Sequence, residues 1–493
     1  MNSKGNMGFF KETFFVFILK VSGAAFAFFN QVVLSRNLGI EEYGSLSVFL
    51  SLANVLILFP LFGMDTGIIR SVAGFDKKVE KKSLLASNIK IITLFLMILI
   101  LIIFAFDDVI FNSFNLNKKL NVYLIVYVAL LVYSKILDGF LQGNKQTLLQ
   151  NFFTQFLNNI IKFLSFVIFF QFFNDIFIAV QIMCGAELVM LVVKSVYITR
   201  KYRDVQLEPY GKSDLREYLI YCVPLFFVSS IDMIQISLNK FFTSYLMGNS
   251  DVGLIRVFEN YSTVLAMFVM PFVTMWPLMS EYYNRGKLDE LKDLFKQTTI
   301  LIAFLIIPAW VTLTICNHEI LAIFGINGAD INNAKLIMFI FFLGTVFDAI
   351  VGPAGALLQM TKYSRISLYN TLGLLVLNIV LCIVLIPKLG LLGVAISTST
   401  SNILINTLNV IQNKRLFNLF PYGKIHLLLL LVAVPVYFLG IELKQTFGTN
   451  YIINIIIVGL FTYFIYFMIS FILYKKDLLK LLKKLKNRRR GGK

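Results

Sequence analysis

Charge is scarce in this chain, and negative charge is scarcer still. Only 15% of its 493 residues are charged, with 27 Asp and Glu against 45 Lys and Arg. Together with 58% hydrophobic residues and a mean hydropathy of +0.79, this excludes an ordinary soluble domain. Cysteine is nearly absent. Cys184, Cys222, Cys316 and Cys382 are scattered, mostly within apolar runs, which argues against a disulfide framework and offers no metal-ligand spacing. The two histidines, His318 and His426, lie far apart near expected membrane surfaces, where an interfacial role is the simpler reading. No phosphate-binding loop is present, so ATP hydrolysis by this chain is not expected. No nucleophile–base pair or deep aspartate cluster stands out, and the outer loops are short and poor in acids, which argues against a membrane polymerase, ligase or glycosyltransferase.

What the chain has instead is apolar runs along its whole length. Fourteen spans are expected, near 12–35, 44–63, 84–106, 120–142, 151–171, 176–198, 216–247, 252–280, 296–316, 334–358, 364–386, 391–412, 424–443 and 450–473. The first lacks a small-residue cleavage site and reads as a retained span. With the N-terminus in the cytoplasm, the basic residues sort by side. Arg70 to Lys82, Arg200 to Arg216, Arg285 to Lys296, Lys414 to Lys424 and the tail fall inside; Arg36, Lys118, Lys119, Lys388 and Lys444 fall outside. That asymmetry predicts an even number of spans with both termini cytoplasmic. The tail, residues 474–493, carries ten Lys or Arg and one Asp. It reads first as an orientation signal and second as a helix end on an anionic leaflet. It lacks the interleaved aromatics of a nucleic-acid partner.

Two short patterns recur. "LGIEEYGSLSV", with Gly39, Gly44 and Val48, returns as "MGNSDVGLIRV", with Gly248, Gly253 and Val257, 209 residues later. Leu141, Gln142 and Lys145 return as Leu358, Gln359 and Lys362, 217 residues later. The copies lie six spans apart and so share an orientation, which predicts two six-helix lobes related by a pseudo-two-fold axis along the membrane normal. The expected fold class is therefore an all-α polytopic membrane protein. Its parts are an N-lobe at 1–198, a cytoplasmic linker at 199–215, a C-lobe at 216–412, two extra helices within 413–473, and the basic tail at 474–493.

Polar residues inside the spans locate the candidate site. In "NFFTQFLNNIIKFLSFVIFF", Asn151, Gln155, Asn158, Lys162 and Ser165 are spaced 4, 3, 4 and 3, one face of an α-helix. A charge at that depth costs about 2.5–3.5 kcal/mol on insertion scales, so this face must meet protein or water. The seventh span adds Ser229, Asp232, Gln235, Asn239 and Lys240; the eighth adds Arg256, Glu259, Asn260 and Thr263; the tenth adds Asp348. Lys20 lies in the first span and Glu187 in the sixth. Lys20, Lys162, Glu187, Asp232 and Asp348 are too deep for an easy route to the surface and are read as cavity-lining. A structural ion pair such as Lys162 with Glu187 is the competing reading, and Arg256 with Glu259 could pair one turn apart. Lys90, Lys135 and Lys194 are expected to snorkel to the cytoplasmic surface.

The stretch from Leu372 to Leu404, with Asn378, Pro387, Gly390, Gly393 and Ala395, resembles the eleventh and twelfth spans of polysaccharide flippases of the multidrug/oligosaccharidyl-lipid/polysaccharide exporter superfamily. So do "SRNLGIEEYGSLSV", "FGMDTGIIR" and "LMSEYYNRG", and the ordered set covers most of spans one to twelve. Where many relatives have Asp-Arg late in the seventh span, this chain has Asn239-Lys240. The resemblance implies a non-enzymatic flippase of a prokaryotic cytoplasmic membrane that moves a polyprenyl-diphosphate-linked oligosaccharide to the outer leaflet. Lys162, Lys20, Asn158, Gln155, Asn239, Lys240 and Arg256 would then handle diphosphate and glycan, while membrane lipid keeps the tail. Asp232, Asp348, Glu187 and Glu259 would couple Na+ or H+, with no cofactor. A polysaccharide polymerase and glycosyltransferases are the expected partners. A peptidoglycan lipid-precursor flippase is the near alternative; a multidrug antiporter or a glycan polymerase or ligase is more distant.

Overall fold

The computed structural model describes residues 3–490 except 270, 271, 273, 274, 328–332, 352, 360, 362, 421 and 447–449, and side chains other than those of 3–14, 212, 232, 276, 277, 364, 446 and 473–490. The described residues form helices and no strand. Among them, twelve helices are long and apolar enough to cross a membrane. The expected spans 12–35 and 44–63 are two helices that meet at a kink within α1 (Ser3–Leu56). The kink is at Gly39, whose φ of 75° and ψ of 169° lie outside helical geometry. The expected span 252–280 includes residues outside the described set.

Two compact units divide the chain, 1–256 and 257–493. In the first, α1 is followed by α2 (Leu58–Leu61), α3 (Met64–Gly74), α4 (Lys78–Ala105), α5 (Asp107–Ser113) and α6 (Leu120–Gly143). Next come α7 (Thr147–Asn151), a π-helical turn (Phe152–Leu157), α8 (Asn158–Phe169), α9 (Ile176–Lys201), α10 (Lys212–Leu246) and the start of α11 (Asn249–Met267). Helix α1 packs on α8, the π turn and α10, while α6 packs on α3 and α9. Small residues permit these approaches: a Cβ on Gly139 would stand 2.4 Å from the Asp65 carbonyl oxygen, and one on Gly23 would stand 2.3 Å from that of Gln155. Outward-facing apolar side chains such as Leu101, Leu164 and Phe172 are exposed, as lipid contact requires.

The second unit holds α12 (Trp276–Asn284), α13 (Leu288–Ile315), α14 (Asn317–Ile323), α15 (Ala334–Val351), α16 (Pro353–Gln359), α17 (Ser364–Leu389), α18 (Leu391–Phe417), α19 (Lys424–Thr446) and α20 (Tyr451–Arg490). Helix α13 is its most buried span, and α15, α19 and α20 surround it. The two C-terminal helices are fastened there by polar clasps. The Thr312 and Thr462 hydroxyls lie 2.6 Å apart, Tyr463 donates to the Leu305 carbonyl at 2.9 Å, and Lys444 pairs with Glu319 at 2.7 Å.

Candidate functional site

The two copies of the glycine motif meet within the first unit. A Cβ on Gly44 would stand 1.7 Å from the Asn249 carbonyl oxygen, and a Cβ on Gly253 would stand 2.3 Å from that of Ile40. Positions 40 and 44 correspond to 249 and 253 at the 209-residue offset. The contact is thus reciprocal, as in an isologous interface: each copy's second glycine receives the other copy's backbone. Gly39 and Gly248, also equivalent, both take positive φ, 75° and 116°. The Asn249 side chain ties this contact down. Its Nδ2 donates to Ser45 Oγ at 2.9 Å and to the carbonyls of Asn115 and Phe114 at 3.0 and 3.2 Å, while its Oδ1 accepts from Ser244 Oγ at 2.7 Å.

The same helices line a cavity of about 230 Å³ whose wall includes Gln31, Ser47, Lys162, Lys240 and Arg256. Gln31 and Lys240 are equivalent in the repeat, and so are Ser47 and Arg256. One copy therefore contributes neutral groups where the other contributes cations. Three cations line the wall, and no carboxylate among the described residues does. Gln31 Oε1 accepts from Tyr43 at 3.0 Å and from Arg256 Nε at 3.4 Å. Lys162 enters from α8. Its Nζ meets Glu187 Oε1 at 2.8 Å, and Asn158 Nδ2 donates to the same oxygen at 2.8 Å. Lys162 is thus both ion-paired and part of the wall, a carboxylate behind it and the cavity before it.

The remaining candidates scatter. Asn239 is buried beside Lys240 but outside the wall, and Asn158 stands behind it with Glu187. Lys20 is exposed near the start of α1. Gln155 is exposed as well, although its flanking stripe residues Asn151, Asn158 and Lys162 are buried. Gln155 lies in the π turn, whose wider i→i+5 winding departs from 3.6-residue spacing, and it packs beside α1, since a Cβ on Gly23 would stand 3.2 Å from the Cβ of Gln155. Asp348 is exposed on α15 and accepts from Asn406 Nδ2 at 2.7 Å. Glu259 is half-buried one turn beyond Arg256, and the side chain of Asp232 lies outside the described residues.

Lys194 corrects an expectation. It does not snorkel: it is fully buried, 2.7 Å from Asp138 and 2.9 Å from Ser134 Oγ. A neighbouring helix supplies the partner, so the ammonium has no need of the surface. The wall also holds Asn30, Gln31, Ser51 and Asn54, which single-span patterns do not single out. The repeat held the missing signal, since the 209-residue offset carries Asn239-Lys240 onto Asn30-Gln31.

A family profile described as polysaccharide biosynthesis protein matches residues 9–283, and one described as MatE matches residues 216–384. No curated protein matches. Among solved structures, one described as lipid II flippase MurJ in an inward closed conformation aligns with a TM-score of 0.77 at 18% identity, over 96% of this chain and 100% of that one. An inward-facing multidrug resistance MATE family transporter of the MOP superfamily aligns at 0.65 and 15% identity, over 82% and 98%. A MOP superfamily transporter from Pyrococcus furiosus aligns at 0.54 and 16%, over 83% and 96%. At these identities the likeness is one of fold. Because the first profile spans more than half of the chain, the protein belongs to the polysaccharide biosynthesis protein family.

Proposed function

We propose that this protein is a flippase that carries a polyprenyl-diphosphate-linked oligosaccharide from the cytoplasmic to the outer leaflet of a prokaryotic cytoplasmic membrane. The observation that carries the reading is the cavity wall, with Lys162, Lys240 and Arg256 and no carboxylate among its described residues. Such a wall suits a dianionic diphosphate. Arg256 offers a planar fork of donors, and the two lysines act as compact charges. The amides and hydroxyls of Asn30, Gln31, Ser51 and Asn54 suit the first sugar. A volume near 230 Å³ admits a diphosphate but not a whole repeat unit, so the cavity must widen during transport.

The reciprocal contact of Gly44 and Gly253 supports two like-oriented lobes within a fourteen-span body, with spans 13 and 14 appended and both termini cytoplasmic. Separation of that contact would open the outer side as the lobes rock. Asp348, held by Asn406, is the proposed coupling acid for Na+ or H+, with Asp232, Glu187 and Glu259 as further candidates. The protein would act beside glycosyltransferases and a polysaccharide polymerase. The fold shared with the lipid II flippase favours a second reading, in which the cargo is the peptidoglycan lipid precursor.

The test is complementation at matched protein amounts. Lys240→Ala and Arg256→Ala should each abolish surface glycan and leave lipid-linked repeat units on the cytoplasmic side. Normal surface glycan in the double variant would overturn the diphosphate assignment. Rescue of a strain depleted of its peptidoglycan-precursor flippase, without rescue of a glycan-export mutant, would move the cargo to the second reading.

A further inference from the structure

A second cavity, of about 660 Å³, lies wholly within the second unit between α13, α15 and α19. Trp310, Phe339, Leu430, Val434 and Tyr437 line it, with Lys335 at one end. All three helices are candidate membrane spans, and Leu430 and Val434 are exposed, so this crevice opens sideways. Asn333, Thr314, Lys335 and Trp310 bring polar groups to its otherwise apolar wall. The Lys335 ammonium sits 5.6 Å from the centroid of the Tyr437 ring. The Trp310 indole N–H is buried and meets no acceptor.

We infer that this crevice holds one acyl chain of an anionic phospholipid, with its phosphate at Lys335 and its ester level beside the Trp310 ring. The depths agree with that order. Lys335 is the second residue of α15, at the membrane surface end of the span. Trp310 stands five residues before the end of α13, and at about 1.5 Å per residue it lies roughly 7–8 Å deeper. A phospholipid places its esters one layer below its phosphate and its chain below both. Size selects among lipids. A methylene takes up about as much room as a water, roughly 30 Å³, so a chain of about 16 carbons needs on the order of 500 Å³. Such a chain fits, whereas a polyprenyl tail of about 50 carbons, at roughly 1500 Å³, exceeds even the 1300 Å³ of empty space between the walls. Within a bilayer, moving a chain from lipid to an apolar groove gains little, because both surroundings are equally greasy. Selectivity must therefore come from Lys335.

The chain has two tryptophans, so Trp276→Phe leaves Trp310 as its only one. Reconstituted in vesicles, this variant should be quenched more strongly by phosphatidylglycerol with brominated chains than by brominated phosphatidylcholine at equal mole fraction. One lysine near an anionic headgroup supports about a fivefold preference. Lys335→Gln in that background should make the two lipids quench alike. Equal quenching before that change would overturn the inference. So would relief of quenching by a polyprenyl diphosphate at equal mole fraction, which would give the crevice to the transported lipid. Should Trp276→Phe fail to fold, native mass spectrometry on the otherwise unaltered chain decides the same question. Phosphatidylglycerol retained by the parent and lost from Lys335→Gln supports the site; equal retention by both overturns it.

Discussion

The two units handle buried polarity in different ways. The first stores charge: Lys162 with Glu187, and Lys194 with Asp138, both pairs within candidate spans. The interior of the second relies mainly on amides and hydroxyls. Asn370 Nδ2 donates to Asn409 Oδ1 at 2.7 Å and Gln412 Oε1 at 2.6 Å, and Gln412 returns a bond at 3.0 Å. Asn413 donates to the Ala354 carbonyl at 2.8 Å, and Ser399 to that of Ile340 at 2.6 Å. An amide network satisfies itself without a net field and glues helices together. A buried ion pair is a poor source of stability, because desolvation offsets most of the attraction. The second unit's pair of Lys444 with Glu319 leaves its lysine partly exposed, whereas both lysines of the first unit's pairs are buried; the field those pairs set is the better explanation for keeping them, and the cationic cavity lies in that unit.

The largest effect should follow from removing one partner of the pair at the wall. Glu187→Ala leaves the Lys162 ammonium buried with its charge uncompensated, and breaking such a pair costs roughly 3–5 kcal/mol. A large drop in the thermal midpoint of the detergent-solubilised protein is expected. The double variant Lys162→Met with Glu187→Leu should regain most of it. It would fall short by about 1 kcal/mol for the Asn158 bond that also ends on Glu187. Transport should stay lost in this stable double variant if Lys162 serves the cargo. Full transport there would reduce the pair to scaffolding and erase the distinction between the units.

A smaller effect is expected from the amide network. Asn370→Leu removes bonds to two partners, yet interhelical hydrogen bonds in membranes average about 0.6 kcal/mol and reach about 1.7. The midpoint should fall by well under half of the Glu187→Ala drop, and transport should persist. Equal drops for the two variants would show that charge and amide interiors are energetically alike in this fold.

Much of this contrast can be read from residue types and spacing, and the limits of that reading have physical causes. The all-helical class and the pairing of Lys162 with Glu187 follow from long apolar runs broken by isolated charges on adjacent spans. Gln155 escapes such reasoning because the π turn that carries it leaves no local signature in "FFTQFL". Lys194 escapes for another reason. Snorkelling is judged one helix at a time, whereas its partner Asp138 comes from a helix whose packing only the fold reveals. Gln31 and Asn30 look like ordinary amides in a long helix. They become wall residues only when the repeat superposes them on Lys240 and Asn239.

The smallest effect belongs to a pair in the same unit that lies at the surface. Lys118 meets Asp108 on α5, with both side chains more than half exposed, so the charges are as opposite as those of Lys162 and Glu187 but stand where solvent can reach them. Proximity to the carboxylate raises the Lys118 pKa above its ordinary value, which shows that the charges interact; exposure decides that the interaction holds nothing together. Lys118→Ala should leave both the thermal midpoint and transport unchanged within error, at low and at high salt. If instead it lowered the midpoint as Glu187→Ala does, location relative to solvent would not be what separates the charged interior from its surface, and the field argument for the first unit would lose its control.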